Sequence, residues 1–175
     1  ISHPHWDHIN AIPFFVPLYK QGNTFEICGP SQGEITMNEL ISRQMDGVYF
    51  PIKFKEFRAD IHFRDLKEES FDIDGINIQT MRLNHPGYCL GYRIKYKKHS
   101  VCYITDNELY PKSNQFYDKE YVSRLADFVR DTDALITDST YTKEEYETKI
   151  GWGHSSVKEV AYRGCLNPKK IFNYF

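Results

Sequence analysis

The sequence predicts a mixed α/β fold, α+β in character, in which stacked sheets are covered by helices. Three observations lead there. Strand-like and helix-like segments alternate near both ends, and the middle of the chain is an unbroken run of strand-like segments. Neither GxGxxG nor GxxxxGK[ST] occurs, so nothing argues for a doubly wound sheet around a nucleotide-phosphate loop. At 175 residues and 41% hydrophobic content, the chain reads as one domain with a sizeable core.

The elements follow from local pattern. Ile9–Gly22 carries an apolar helical stripe with Gly22 as a stop, shortened or kinked by Pro13 and Pro17. Thr24–Pro30 is a short strand ended by Gly-Pro. Glu34–Met45 is helical, with Ile35, Leu40 and Ile41 near helical spacing. Gly47–Asp60 reads as a loop with a short extended piece. Ile61–Leu66, Phe71–His85, Cys89–Tyr96 and Ser100–Asp106 alternate or carry β-branched and aromatic residues, as strands do. The lysine-rich KYKKHSV between the last two is a solvated hairpin turn.

Beyond it, Tyr117, Tyr121, Leu125 and Phe128 or Val129 recur at helical spacing and make Phe116–Asp133 an amphipathic helix. Ala134–Asp138 is a buried strand. Ser155–Cys165 is a helix with Ser156 and Glu159 spaced as a capping box, and Lys169–Phe175 is a final strand.

Composition narrows the function. The net charge of −2 and pI near 6.4 give no global basic field for nucleic acid. No stretch approaches the ~18 apolar residues of a membrane span. Cys28, Cys89, Cys102 and Cys165 are scattered without a CxxC pair, which reads as reduced thiols in a cytoplasmic setting.

The chemistry concentrates in the opening stretch, ISHPHWDHINAIPF. His3 and His5 are two residues apart, so in an extended segment both rings face one side and can converge on one ion. Asp7 and His8 point differently and can serve a second ion from the start of a helix. Imidazole nitrogen with carboxylate oxygen suits zinc, and also manganese or iron. Two ions about 3.5–4 Å apart could share one activated water. His85 and Asp106 each end a strand that could meet this loop, whereas His62 and His99 read as surface or packing residues.

With HPHWDH, RLNHPGYCLGYRI, VCYITDNE and GWGHSS in view, the chain resembles the metallo-β-lactamase-fold hydrolases, particularly the branch similar to ribonuclease Z and its phosphodiesterase relatives. The resemblance implies an αββα sandwich with a dinuclear metal site. By that resemblance His3, His5 and His85 hold one divalent ion, Asp7 and His8 hold the other, and Asp106 touches both. The family often has Gly-Asp-Thr at the bridging aspartate, where this chain has Thr105, Asp106 and Asn107. GWGHSS resembles the family's His-Ser-Thr element, which makes His154 a catalytic group near the substrate phosphate and Asp138 its orienting partner.

The resemblance also places early strands before Ile1 and one more histidine ligand after Phe175. Residues 1–175 are therefore expected to be a single incomplete domain, truncated at both ends, with a second copy as a candidate partner.

The implied reaction is attack of a metal-activated hydroxide on phosphorus, with Asp7 orienting it and His154 assisting the leaving group. No long basic Gly/Pro-rich arm lies between His8 and His85, so a small cyclic nucleotide is as suitable a substrate as RNA. Thioester, lactone or β-lactam hydrolysis uses the same ligands and is the rival enzymatic reading. A non-catalytic metal-binding subunit is the rival of a different class.

Overall fold

Pro13 and Pro17 decide how the chain begins. The computed structural model describes residues 1–162 and 170–174. In place of a helix over Ile9–Gly22 it has a one-turn helix α1 (Trp6–Ile9) and two 3-10 turns, Ile12–Phe14 and Val16–Tyr19. Each 3-10 turn carries its proline at the first or second position, where the missing N–H costs nothing.

Strand β1 (Thr24–Pro30) then pairs in parallel with β2 (Asp60–Leu66), from Thr24 opposite Asp60 to Pro30 opposite Leu66. Parallel neighbours need a crossover, and the intervening segment contains α2 (Met37–Arg43). A reciprocal capping box between Thr36 and Glu39 starts that helix, inside the span expected for it. Met37 and Ile41, four residues apart, bury one face among Ile9, Ile27 and Phe63, and the Met37 N–H donates to Asp65 Oδ1 at 2.7 Å. These elements form one compact unit, residues 1–66.

Residues 67–175 form a second unit with its own sheet and core. The expected strand Phe71–His85 is two strands, β3 (Ser70–Ile73) and β4 (Ile76–Arg82), folded back on each other. The turn is Asp74-Gly75, with φ of 50° and 80°; positive φ at both central residues suits a two-residue hairpin, and Asp-Gly supplies it cheaply. β5 (Leu90–Tyr96) and β6 (His99–Ile104) follow as the expected hairpin around Lys97 and Lys98.

Helix α3 (Lys119–Val129) then carries the chain over to β7 (Ala134–Asp138), which lies parallel to β6. Asp118 caps α3 by accepting from the N–H groups of Glu120 and Tyr121. Tyr121, Leu125 and Val129 recur every four residues and bury against Met81, Cys102, Ile104 and Leu135 of the sheet. Each such side chain contributes about 1.5–3 kcal/mol of apolar burial.

A short helix α4 (Lys143–Tyr146), helix α5 (Val157–Tyr162) and strand β8 (Ile171–Tyr174) complete the unit. The Ser156 hydroxyl accepts from the Glu159 N–H at the start of α5, as its spacing predicts. The sheet order is β3-β4-β5-β6-β7-β8, antiparallel up to β6 and parallel afterwards. Cys165 with the end of its expected helix, Lys169 and Phe175 lie outside the described residues. No helix among the described residues is long and apolar enough to cross a membrane.

Candidate metal ligands and a histidine–aspartate pair

In the first unit the opening segment gathers its histidines. His3 is buried, with Ser2 Oγ 3.2 Å from its Nδ1, and its ring lies 4.5 Å from that of His5, edge to face. The His8 ring comes within 4.2 Å of His3, because α1 begins directly after His5 and turns His8 back. The His8 N–H donates to the His5 carbonyl at 3.0 Å, which closes that turn. Asp7 is exposed, with Oδ2 3.2 Å from His8 Nε2. The rings of His3 and His5 lie close together, and His8 comes nearer to them than its position beside Asp7 suggested.

In the second unit four expected residues come together at one end of the sheet. His85 lies just past the end of β4, in a loop closed by the bond from the Leu83 N–H to the Cys89 carbonyl. Asp106 follows β6 and is buried. Its Oδ2 lies 3.7 Å from Nε2 of His85 and 3.7 Å from Nε2 of His154. Asp138, at the end of β7, is 1% exposed. Its Oδ2 faces His154 Nδ1 at 3.1 Å and accepts from the N–H groups of Ser155 and Asn107 at 3.2 and 3.4 Å. Its Oδ1 accepts from the Thr140 N–H at 3.0 Å and hydroxyl at 2.5 Å. With a proton on Nδ1, the imidazole donates to Asp138 and turns Nε2 toward Asp106.

Taken separately, each unit gathers imidazole nitrogens and carboxylate oxygens, donors of the kinds that divalent ions take. Cys89 is the nearby thiol, and it donates Sγ–H to the Asp106 carbonyl at 3.6 Å. Burial, and then the Asp106 charge, push its pKa well up, so it stays a thiol and not a thiolate ligand. The Tyr141 ring, 5.9 Å from that of His154, has its hydroxyl pKa raised by burial and then by Asp138.

The residues around this end include several that motif reading passed over. Asn107 Oδ1 accepts from the Asn84 N–H at 3.1 Å and from the Tyr121 hydroxyl, which pins the residue before His85 to the one after Asp106. Glu108 is 1% exposed and binds the loop that leads to His154. The signal available for Glu108 was an acid two residues after Asp106, followed by leucine rather than by further polar residues.

The beta-lactamase superfamily domain matches this chain over residues 1–163. The chain belongs to that family. It is 23% identical to ribonuclease Z of Lactococcus lactis subsp. cremoris (strain SK11), across 92% of this chain and 64% of that protein. Among solved structures, human tRNase Z, short form, is similar at a TM-score of 0.67 and 18% identity, over 99% of this chain and 74% of that one. The metallo-beta-lactamase fold protein YhfI from Bacillus subtilis is similar at 0.65 and 17%, over 99% and 64%. These likenesses establish the metallo-β-lactamase fold expected from HPHWDH and its companion motifs. Within this superfamily fold, His85, Asp106, Asp138 and His154 stand at strand ends and loops, where side chains are held without interrupting the sheet's hydrogen bonds.

Proposed function

We propose that this chain is a dinuclear metal-dependent hydrolase that cleaves a phosphodiester, either RNA or a cyclic nucleotide, in the cytoplasm. His3, His5 and His85 would hold one divalent ion and Asp7 and His8 the other, with Asp106 available to both; zinc suits these donors best, with manganese or iron as alternatives. Bound ions supply Lewis-acid charge at the phosphoryl oxygens and make water acidic enough to attack at neutral pH. Asp7 orients the attacking water. A second copy of the chain is the proposed protein partner, which solution size measurement would test.

The observation that carries the reading is the His154–Asp138 pair, with Nε2 of His154 3.7 Å from the Asp106 carboxylate. Asp138 holds Nδ1, so a proton on Nε2 is presented toward the place where a leaving oxygen departs. The resemblance of GWGHSS to the ribonuclease Z branch favours a phosphodiester over an ester, lactone or β-lactam. General-acid assistance of this kind contributes roughly 10²–10⁴-fold.

The test combines metal analysis with a substrate panel: a chromogenic phosphodiester, a dinucleotide, a cyclic nucleotide, a lactone and a β-lactam. Near two equivalents of metal and turnover of the phosphodiesters are expected. Preference for the lactone or β-lactam overturns the substrate class, and absence of metal and turnover supports the subunit reading. His154→Ala with full metal content and unchanged dinucleotide turnover removes the role given to His154.

A further inference from the structure

We propose that Glu108 is a positioning residue that sets His154 through the Gly151–Gly153 turn; this rests on the catalytic reading of His154. Glu108 sits two residues after Asp106, and both its carboxylate oxygens are committed. Oε1 accepts from the Tyr146 hydroxyl at 2.7 Å and from the Gly151 N–H at 2.9 Å. Oε2 accepts from the Gly151 N–H at 3.0 Å and from the Gly153 N–H at 2.9 Å. A buried carboxylate needs such charge-assisted bonds to be tolerated, so its hold on the turn is strong.

The turn is held from the other side as well. Gly151 and Gly153 have φ of 87° and 88°. A Cβ on Gly153 would stand 2.3 Å from His85 Cδ2 and 2.6 Å from Pro86 Cδ. The backbone of Gly153 is therefore pressed against His85, and the next residue is His154. Glu108 also takes its backbone N–H to the Asn84 carbonyl at 2.7 Å, beside His85. One side chain thus fixes the turn from which His154 projects, on the same short segment that carries Asp106. Asp138 faces the His154 ring at Nδ1 and holds the backbone just after it through the Ser155 N–H, whereas Glu108 holds the turn just before it.

Glu108→Gln tests this. Its amide group would set an N–H against the N–H of Gly151 or Gly153, or against the Tyr146 hydroxyl proton. Turnover is measured on a p-nitrophenyl diester, whose leaving group needs no proton, and on a dinucleotide, whose leaving group does. Glu108→Gln is expected to lower kcat about 10-fold or more on the dinucleotide, with little change on the nitrophenyl ester, KM or metal content. The double variant with His154→Ala is expected to be no slower than His154→Ala alone.

Equal losses on both substrates, or losses that multiply in the double variant, overturn the proposal. Tyr146→Phe removes one donor without disturbing the backbone and is expected to show the same pattern more weakly; it decides the matter if Glu108→Gln does not fold. If His154→Ala shows no leaving-group dependence, the catalytic reading itself fails. Glu108 is then judged on the His154 ring and Gly153 amide resonances, which move in either variant if it positions the turn and stay put if it does not.

Discussion

Gly153→Ala and Gly151→Ala form a matched pair that separates backbone strain from close packing. Both glycines sit at φ near 88°, where an L side chain is strained by about 1–2 kcal/mol, offset by ~0.4–1 kcal/mol from the stiffer unfolded chain. A Cβ at Gly151 meets nothing within 4 Å, so its net cost is about 1 kcal/mol. A Cβ at Gly153 meets the His85 ring at 2.3 Å and Pro86 at 2.6 Å. These atoms cannot swing away as a flexible chain end would, because one is a ring and the other a proline. Overpacking of this kind adds roughly 1–3 kcal/mol, giving about 2–4 kcal/mol in all. Urea unfolding measures both, and the thermal midpoints should fall by roughly 2–4 °C and 4–16 °C respectively. Metal content should drop for Gly153→Ala, which displaces His85, and hold for Gly151→Ala. Equal destabilisation by the two variants, with equal metal content, refutes the close approach of Gly153 to His85.

Asp138→Asn keeps the side chain's shape but turns one acceptor into a donor among five surrounding N–H and O–H groups. It is expected to destabilise by ~1–3 kcal/mol and to lower dinucleotide kcat by about 10² or more; unchanged kcat would remove Asp138 from the machinery. Asp118→Ala leaves the first N–H groups of α3 without their cap and should cost about 1 kcal/mol in denaturant unfolding, with activity per folded molecule unaffected. Cys89 and Cys102 are buried, with thiol pKa values pushed up mainly by burial. Peptide mass spectrometry after iodoacetamide treatment at pH 8 should find both unlabelled in the folded protein and labelled in urea; rapid labelling in the folded state would contradict their burial.

Local rules were readable wherever one short-range interaction dominates. The start of α2 follows from Thr36 and Glu39, and the buried face of α3 from the four-residue recurrence of Tyr121, Leu125 and Val129. They misled where two signals competed in one stretch. The apolar stripe over Ile9–Gly22 has helical spacing, but two prolines four apart leave room only for single turns. Through Phe71–His85 the alternation changes phase at Asp74-Gly75, from Phe71 and Ile73 to Ile76 and Ile78, so the stretch read as one strand is a hairpin.

The sequence by itself determined the donor chemistry: imidazoles and carboxylates at HxHxDH spacing, a histidine and an aspartate at strand ends, and a histidine after a glycine pair. That information is chemical and local, so it survives without coordinates. Only the tertiary structure decided that Asp106 and Asp138 stand on either side of His154, and that Glu108 grips the turn before it. Those partners are 16 to 48 residues apart in the chain. They meet because β6 and β7 lie side by side and end together, a consequence of strand pairing that no spacing of residues encodes.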